Sequence, residues 1–190
     1  GAGGAGGAGG VVGGGGGGVR RRPYVMTGSV HWMRASVQER EAVVAAFSSN
    51  STILSVQMSD CAINDALACR WAEVLASPGC VLTSLNLESN TISSRGVEAL
   101  ATALATNTSL QELKLTHQHI ACSQAAEFNL ADALAKNTTL VRLGLEVRAV
   151  QARHQIQAHI SRNLDERRRQ RGAAGGAAGG AAGGAAGGAA

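Results

Sequence analysis

One phrase returns four times along this chain: a polar helix end, then an apolar residue that opens a short strand. It reads Asn50-Ser51-Thr52-Ile53, Gly79-Cys80-Val81-Leu82, Asn107-Thr108-Ser109-Leu110 and Asn137-Thr138-Thr139-Leu140. The opening residues Ile53, Leu82, Leu110 and Leu140 stand 29, 28 and 30 positions apart. A fixed period of that size builds a solenoid, in which each unit buries its apolar face only by stacking on its neighbours.

The clearest unit is Leu82-Thr-Ser-Leu85-Asn-Leu87-Glu-Ser-Asn90-Thr-Ile92. Leu85 and Leu87 alternate inward on a strand, which sends Asn86 and Glu88 to the solvent face. Asn90 sits in the turn, where its amide can bond the backbone of neighbouring coils. Ser93 and Ser94 suit a helix N-terminus, and Val97, Leu100, Ala103 and Leu104 keep helical spacing. This is leucine-rich-repeat grammar. The expected fold is α/β, a right-handed leucine-rich repeat solenoid with a parallel sheet inside, helices outside and a C-terminal capping helix.

The next unit offers Leu110, Leu113, Leu115 and Ile120, then Phe128, Leu130, Ala133 and Leu134, with Gln118 in place of the turn Asn. The unit before has Cys61 at that turn position. Its helix Ala66–Ser77 carries Leu67, Trp71, Val74 and Leu75, with Asp65 as expected cap. A first helix over 35–48 points Val37, Val43, Val44 and Phe47 inward, after a weak strand within 24–30. The last strand has Leu140, Leu143 and Leu145. Residues 151–169 then read as a closing helix with Ile156, His159, Ile160 and Leu164 inward. Asn50, Asn107 and Asn137 open glycosylation-type sequons, but their recurrence at the repeat period points to helix closure in the left-handed conformation.

Composition sets the domain limits. Of 26 glycines, 13 lie in residues 1–18 and 9 in residues 172–190. Such stretches bury too little apolar area to offset chain ordering. The expected division is a disordered Gly/Ala-rich head with an Arg cluster at 1–22, a repeat domain with a basic helix at 23–171, and a disordered tail at 172–190. Net charge is +4, yet the repeats from Pro23 to Ser161 sum to −2. Arg20–Arg22 and the segment 162–171 each add +3, so positive charge sits at the edges, where an acidic partner would meet it.

Chemistry finds little footing. The four cysteines show no zinc or redox spacing and read as free thiols of a reducing compartment. His117 and His119 lack a third ligand, and no Ser/His/Asp set is arranged by spacing. No catalysis, cofactor or metal is expected. No apolar run is long enough to cross a membrane as a helix, and no secretory signal is visible. A cytoplasmic, monomeric binding module follows. Nucleic acid is disfavoured by five aromatic residues in all and an acidic middle, although Arg167–Arg169 could give weak, salt-sensitive binding to RNA.

The stretch Leu85-Asn-Leu87-Glu-Ser-Asn90-Thr-Ile92 resembles the tropomodulin and leiomodin repeat domain, as do Asn107-Thr-Ser-Leu110-Gln-Glu-Leu113-Lys-Leu115 and Leu134-Ala-Lys-Asn137-Thr-Thr-Leu140. The longer connector of the third unit and the ending Arg142, Leu143, Gly144, Arg153, Asn163, Asp165, Arg167–Arg171 are similar to that family too. The resemblance implies actin-filament binding and capping of the pointed end, with a cytoskeletal location. Carried over position by position, it implies contacts from Arg142, Arg153, Arg162, Arg167, Arg168, Arg169 and Arg171. Tropomyosin binding has no support, because Gly/Ala sequence stands where the family has its tropomyosin-binding helices. The other reading is a generic repeat scaffold for an unidentified cytoplasmic protein.

Overall fold

The structure, a computed structural model, describes residues 23–179, with side chains as far as Ala173. Five short strands form one parallel sheet in chain order: β1 (Tyr24–Val25), β2 (Ser55–Gln57), β3 (Ser84–Asn86), β4 (Glu112–Lys114) and β5 (Arg142–Gly144). Between them run α1 (Val30–Arg34), α2 (Val37–Ala46), α3 (Asp65–Ala76), α4 (Ser94–Leu104) and α5 (Gln124–Lys136), and α6 (Val150–Gly179) follows β5. Each of α2 to α5 packs on the next helix. Register is constant from coil to coil: Val56 lies beside Leu85, Leu85 beside Leu113, and Leu113 beside Leu143.

The expected solenoid is therefore the fold. Val56, Leu85 and Leu113 are fully buried, as are Met58, Leu87 and the coil-opening Leu82, Leu110 and Leu140. From the helix layer Trp71, Leu75, Leu100, Leu104, Leu130 and Leu134 close the core. Phe47 bridges Tyr24 and Trp71 at ring-centroid separations of 5.3 and 5.1 Å.

Asn90 performs the turn function. Its Oδ1 accepts from the N–H groups of Cys61 and Ile63, both at 3.0 Å, and its Nδ2 donates to the carbonyls of Met58, Leu87 and Glu88. Gln118 partly reproduces this, accepting from Ile92 N and donating to Leu87 O. The coil-closing asparagines act differently from expectation. Asn50 and Asn137 have φ of −71° and −77°, and Asn107 is not among the positive-φ residues. Their Oδ1 atoms turn the chain by accepting from N–H groups two and three residues on. The left-handed conformation falls instead at Asp60, Ser89 and His117, one residue before each turn Cys, Asn or Gln, and at Ala62.

Other side chains depart from the periodicity. Asn86 is buried, because Gln57 on β2 accepts from its amide. Val37 is 60% exposed: a capping box between Ser36 and Glu39 starts α2 there, in the turn that overhangs solvent. Ile120 is 48% exposed on the long connector, and Phe128 is only half-buried. Trp32, on a helix the pattern did not indicate, is buried and donates Nε1–H to Cys61 O at 2.6 Å. Helix α6 continues to Gly179, past the boundary expected at 171. Residues 1–22 and 180–190 lie outside the described residues, and the Arg20–Arg22 cluster with them.

Candidate functional site

Carboxylates from one coil start the helix of the next. Asp65 does not cap its own helix. Asn64 does that, accepting from Leu67 N at 3.1 Å. Asp65 instead reaches across to α4 and accepts from Ser93 N at 2.7 Å and Gly96 N at 3.2 Å. Glu127 repeats the device two helices on, between α5 and α6. It is fully buried and accepts from Arg148 N and Ala149 N, each at 2.8 Å. A carboxylate there satisfies free N–H groups and matches the positive end of the helix dipole. The start of α6 is thereby pinned to α5.

Farther along α6, Ala152, Ile156 and Asn163 are buried, and His159, Ile160 and Leu164 half-buried. Asn163 Nδ2 donates to Asn137 O at 3.0 Å and Leu140 O at 2.9 Å. Arg162 Nη2 donates to Leu134 O and Asn137 O, Nη1 to Ala135 O, and Nε to Asn163 Oδ1. These carbonyls end α5, where a cation is favoured.

The following turns carry Arg167, Arg168 and Arg171 over the entry ends of the strands. Together with Leu164 and with Arg142 of β5 they wall an open groove of about 340 Å³, floored by Thr83, Ser84, Gln111 and Glu112. Four of the seven expected site residues, Arg142, Arg167, Arg168 and Arg171, thus meet at one place. Three do not. Arg153 sits at the start of α6 and donates to Val147 O. Arg162 is engaged with α5 as described. Arg169 points away from the groove, beside Glu166 at 3.7 Å. Arg168 also has Asp165 at 3.3 Å, but both are exposed and the pair contributes little.

The exposed sheet face offers less. Its polar residues bond one another across strands: Asn86 to Gln57, Ser84 to Glu112, Thr116 to Glu88. The Thr116 hydroxyl and, more weakly, the Lys114 ammonium hold the Glu88 carboxyl below its ordinary range. Burial pushes the Cys61 thiol up to about 11 and raises Cys122 as well. Neither is an activated thiolate. Among the described residues no cluster of three His, Cys, Asp or Glu could hold a metal ion.

A parallel sheet in sequential order, helices on its outer side and apolar strand residues in constant register from coil to coil define a leucine-rich repeat protein. The TMOD/LMOD leucine-rich domain profile matches residues 32–166, and the chain belongs to that family. It is 38% identical over 90 residues to leiomodin-1 of Rattus norvegicus, covering 47% of this chain and 15% of that protein. To leiomodin-2 of the same species it is 32% identical over 126 residues, covering 66% and 23%. The chain therefore spans less than a quarter of these relatives. A solved structure named leiomodin-1 actin-binding site 2 superposes with a TM-score of 0.71 at 28% identity, covering 77% of this chain and 84% of that one. The tropomodulin C-terminal domain of Caenorhabditis elegans shares the fold, with a TM-score of 0.68 at 23% identity and coverage of 74% and 84%.

Proposed function

We propose that this chain is a non-enzymatic actin-binding module that engages the pointed end of the filament through the groove between α6 and the strand entries. The observation that carries the reading is the meeting of Arg142, Arg167, Arg168 and Arg171 around one open groove, on a domain whose family includes leiomodins. Arginine forks facing carboxylates form charge-assisted, orienting contacts and steer the approach of an acidic surface. The internally paired sheet face gives a partner few free groups, which turns attention from the concave surface to the edge. No helix of the described residues is long and apolar enough to cross a membrane. We place the module, as a monomer, in the cytoplasm on actin filaments.

Pyrene-actin elongation from filaments with blocked barbed ends tests this. The protein should slow pointed-end growth, and a variant with Arg167, Arg168 and Arg171 changed to Ala should not. Changing Arg169 alone should matter little, since it faces away from the groove. Unaltered growth and no co-sedimentation with filaments at tens of micromolar protein would leave a repeat scaffold for another protein as the better account.

A further inference from the structure

Three asparagines form a ladder through the helix ends. Asn107 Nδ2 donates to Leu75 O, Asn137 Nδ2 to Leu104 O and Asn107 O, and Asn163 Nδ2 to Asn137 O and Leu140 O. The first two rungs belong to the repeat. The third is supplied by α6, a helix outside the repeat pattern. Arg162 then ties the rung to α5, because Asn163 Oδ1 accepts from both its Nε and its Nη2 while the guanidinium donates to three backbone carbonyls.

We propose that Glu127, Arg162 and Asn163 are positioning residues that fix the azimuth of α6, and through it the arginines that wall the groove. Asn163, Arg167 and Arg171 are spaced by four, so they lie on one stripe of the helix. Pinning Asn163, which is 2% exposed, therefore fixes where Arg167 and Arg171 project. Glu127 holds the other end, 36 residues earlier in sequence but at the first turn of α6. Arg162 is solvent-exposed, yet its donors are committed to α5. Its part in binding is to aim Arg167, Arg168 and Arg171. The binding side of this inference rests on the actin reading; the clamp itself does not.

A double-mutant cycle separates aiming from touching. Arg162→Ala should weaken binding to actin pointed ends by about tenfold, as for loss of one charge-assisted clamp. In a background with Arg167 alone already changed to Ala, which keeps the other arginines and measurable binding, the same substitution should cost clearly less than about tenfold, because an aimed group that is absent cannot be misaimed. An equal loss in both backgrounds makes Arg162 a contact and overturns the proposal. Asn163→Ala removes no charge and no surface, and should weaken binding like Arg162→Ala. A folded Asn163→Ala protein with wild-type affinity also overturns it. If that variant fails to fold, Arg162→Lys, which keeps the charge but not the fork, replaces it and should bind more weakly than wild type. Hydrogen exchange reads the clamp without actin. Amides of 164–171 should lose protection in Arg162→Ala while those of β3 and β4 keep theirs, and unchanged exchange at 164–171 sinks the clamp even if actin binds. Absence of binding by the wild-type chain would instead remove the actin reading and leave the exchange result to decide the clamp.

Discussion

Asn90 carries five hydrogen bonds on one amide group, and all five partners are backbone groups of two adjacent coils. Asn90→Ala would strand two buried N–H groups and weaken three carbonyls. We expect a loss of about 3–4 kcal/mol in urea unfolding, against about 1 kcal/mol for a single ordinary hydrogen bond; a loss near the lower figure would mean water replaces the amide. Glu88 supplies a pH test. Its carboxyl is held below the ordinary 4.5, chiefly by the Thr116 hydroxyl. A lowered folded-state pKa stabilises above the unfolded value and is lost as pH falls through the folded one. Thr116→Val should therefore cost stability at about pH 6, and the cost should shrink as pH falls through the lowered folded-state value of Glu88. An NMR titration in which the Glu88 midpoint does not rise in the variant would refute this cause. The turn role of Asn90 is legible in the sequence because it follows from a local motif. The role of Asp65 is not, since the N-cap residue it bonds, Ser93, lies 28 residues later.

Helix spacing turns on Gly96. A Cβ there would lie 2.5 Å from Ile92 Cγ2, 2.8 Å from Asp65 Oδ1 and 3.0 Å from Ala68 Cβ. Gly96→Ala gains about 1 kcal/mol of helix propensity, but overpacking costs about 1–3 kcal/mol and strains the Asp65 cap. The net should be a lower melting temperature in a calorimetric scan; a higher one would show that α3 and α4 separate freely. Helix existence in the middle coils is plain from apolar spacing, whereas helix starts at α2 and α6 depend on capping groups. Ser36 and Glu39 act within four residues, so that box is readable locally. Glu127 acts on α6 from another helix, and a charged residue at full burial is what periodicity would place outside. Val37 and Ile120 erred the other way: apolar residues on a first turn and a long connector have no neighbour to cover them.

At the scale of the molecule, charge is separated from core. The coils carry slight negative charge, and the arginines gather where α6 leaves them. Filament binding should accordingly weaken as salt rises across the range in which the Debye length shrinks from about 10 to 3 Å. Co-sedimentation at increasing potassium chloride checks this, and salt-independent binding would point to an apolar contact. The period of 28 to 30 residues was enough to determine the stacked sheet and the leucine core, because every coil repeats the same local pattern and can bury it only against the next. Tertiary structure alone decided which arginines share a groove. Arg142 and Arg167 are 25 residues apart, and the turn of α6 that brings them together depends on Glu127, Arg162 and Asn163, whose bonding partners lie in other coils. Contacts between coils follow from stacking geometry, which no window along the chain contains.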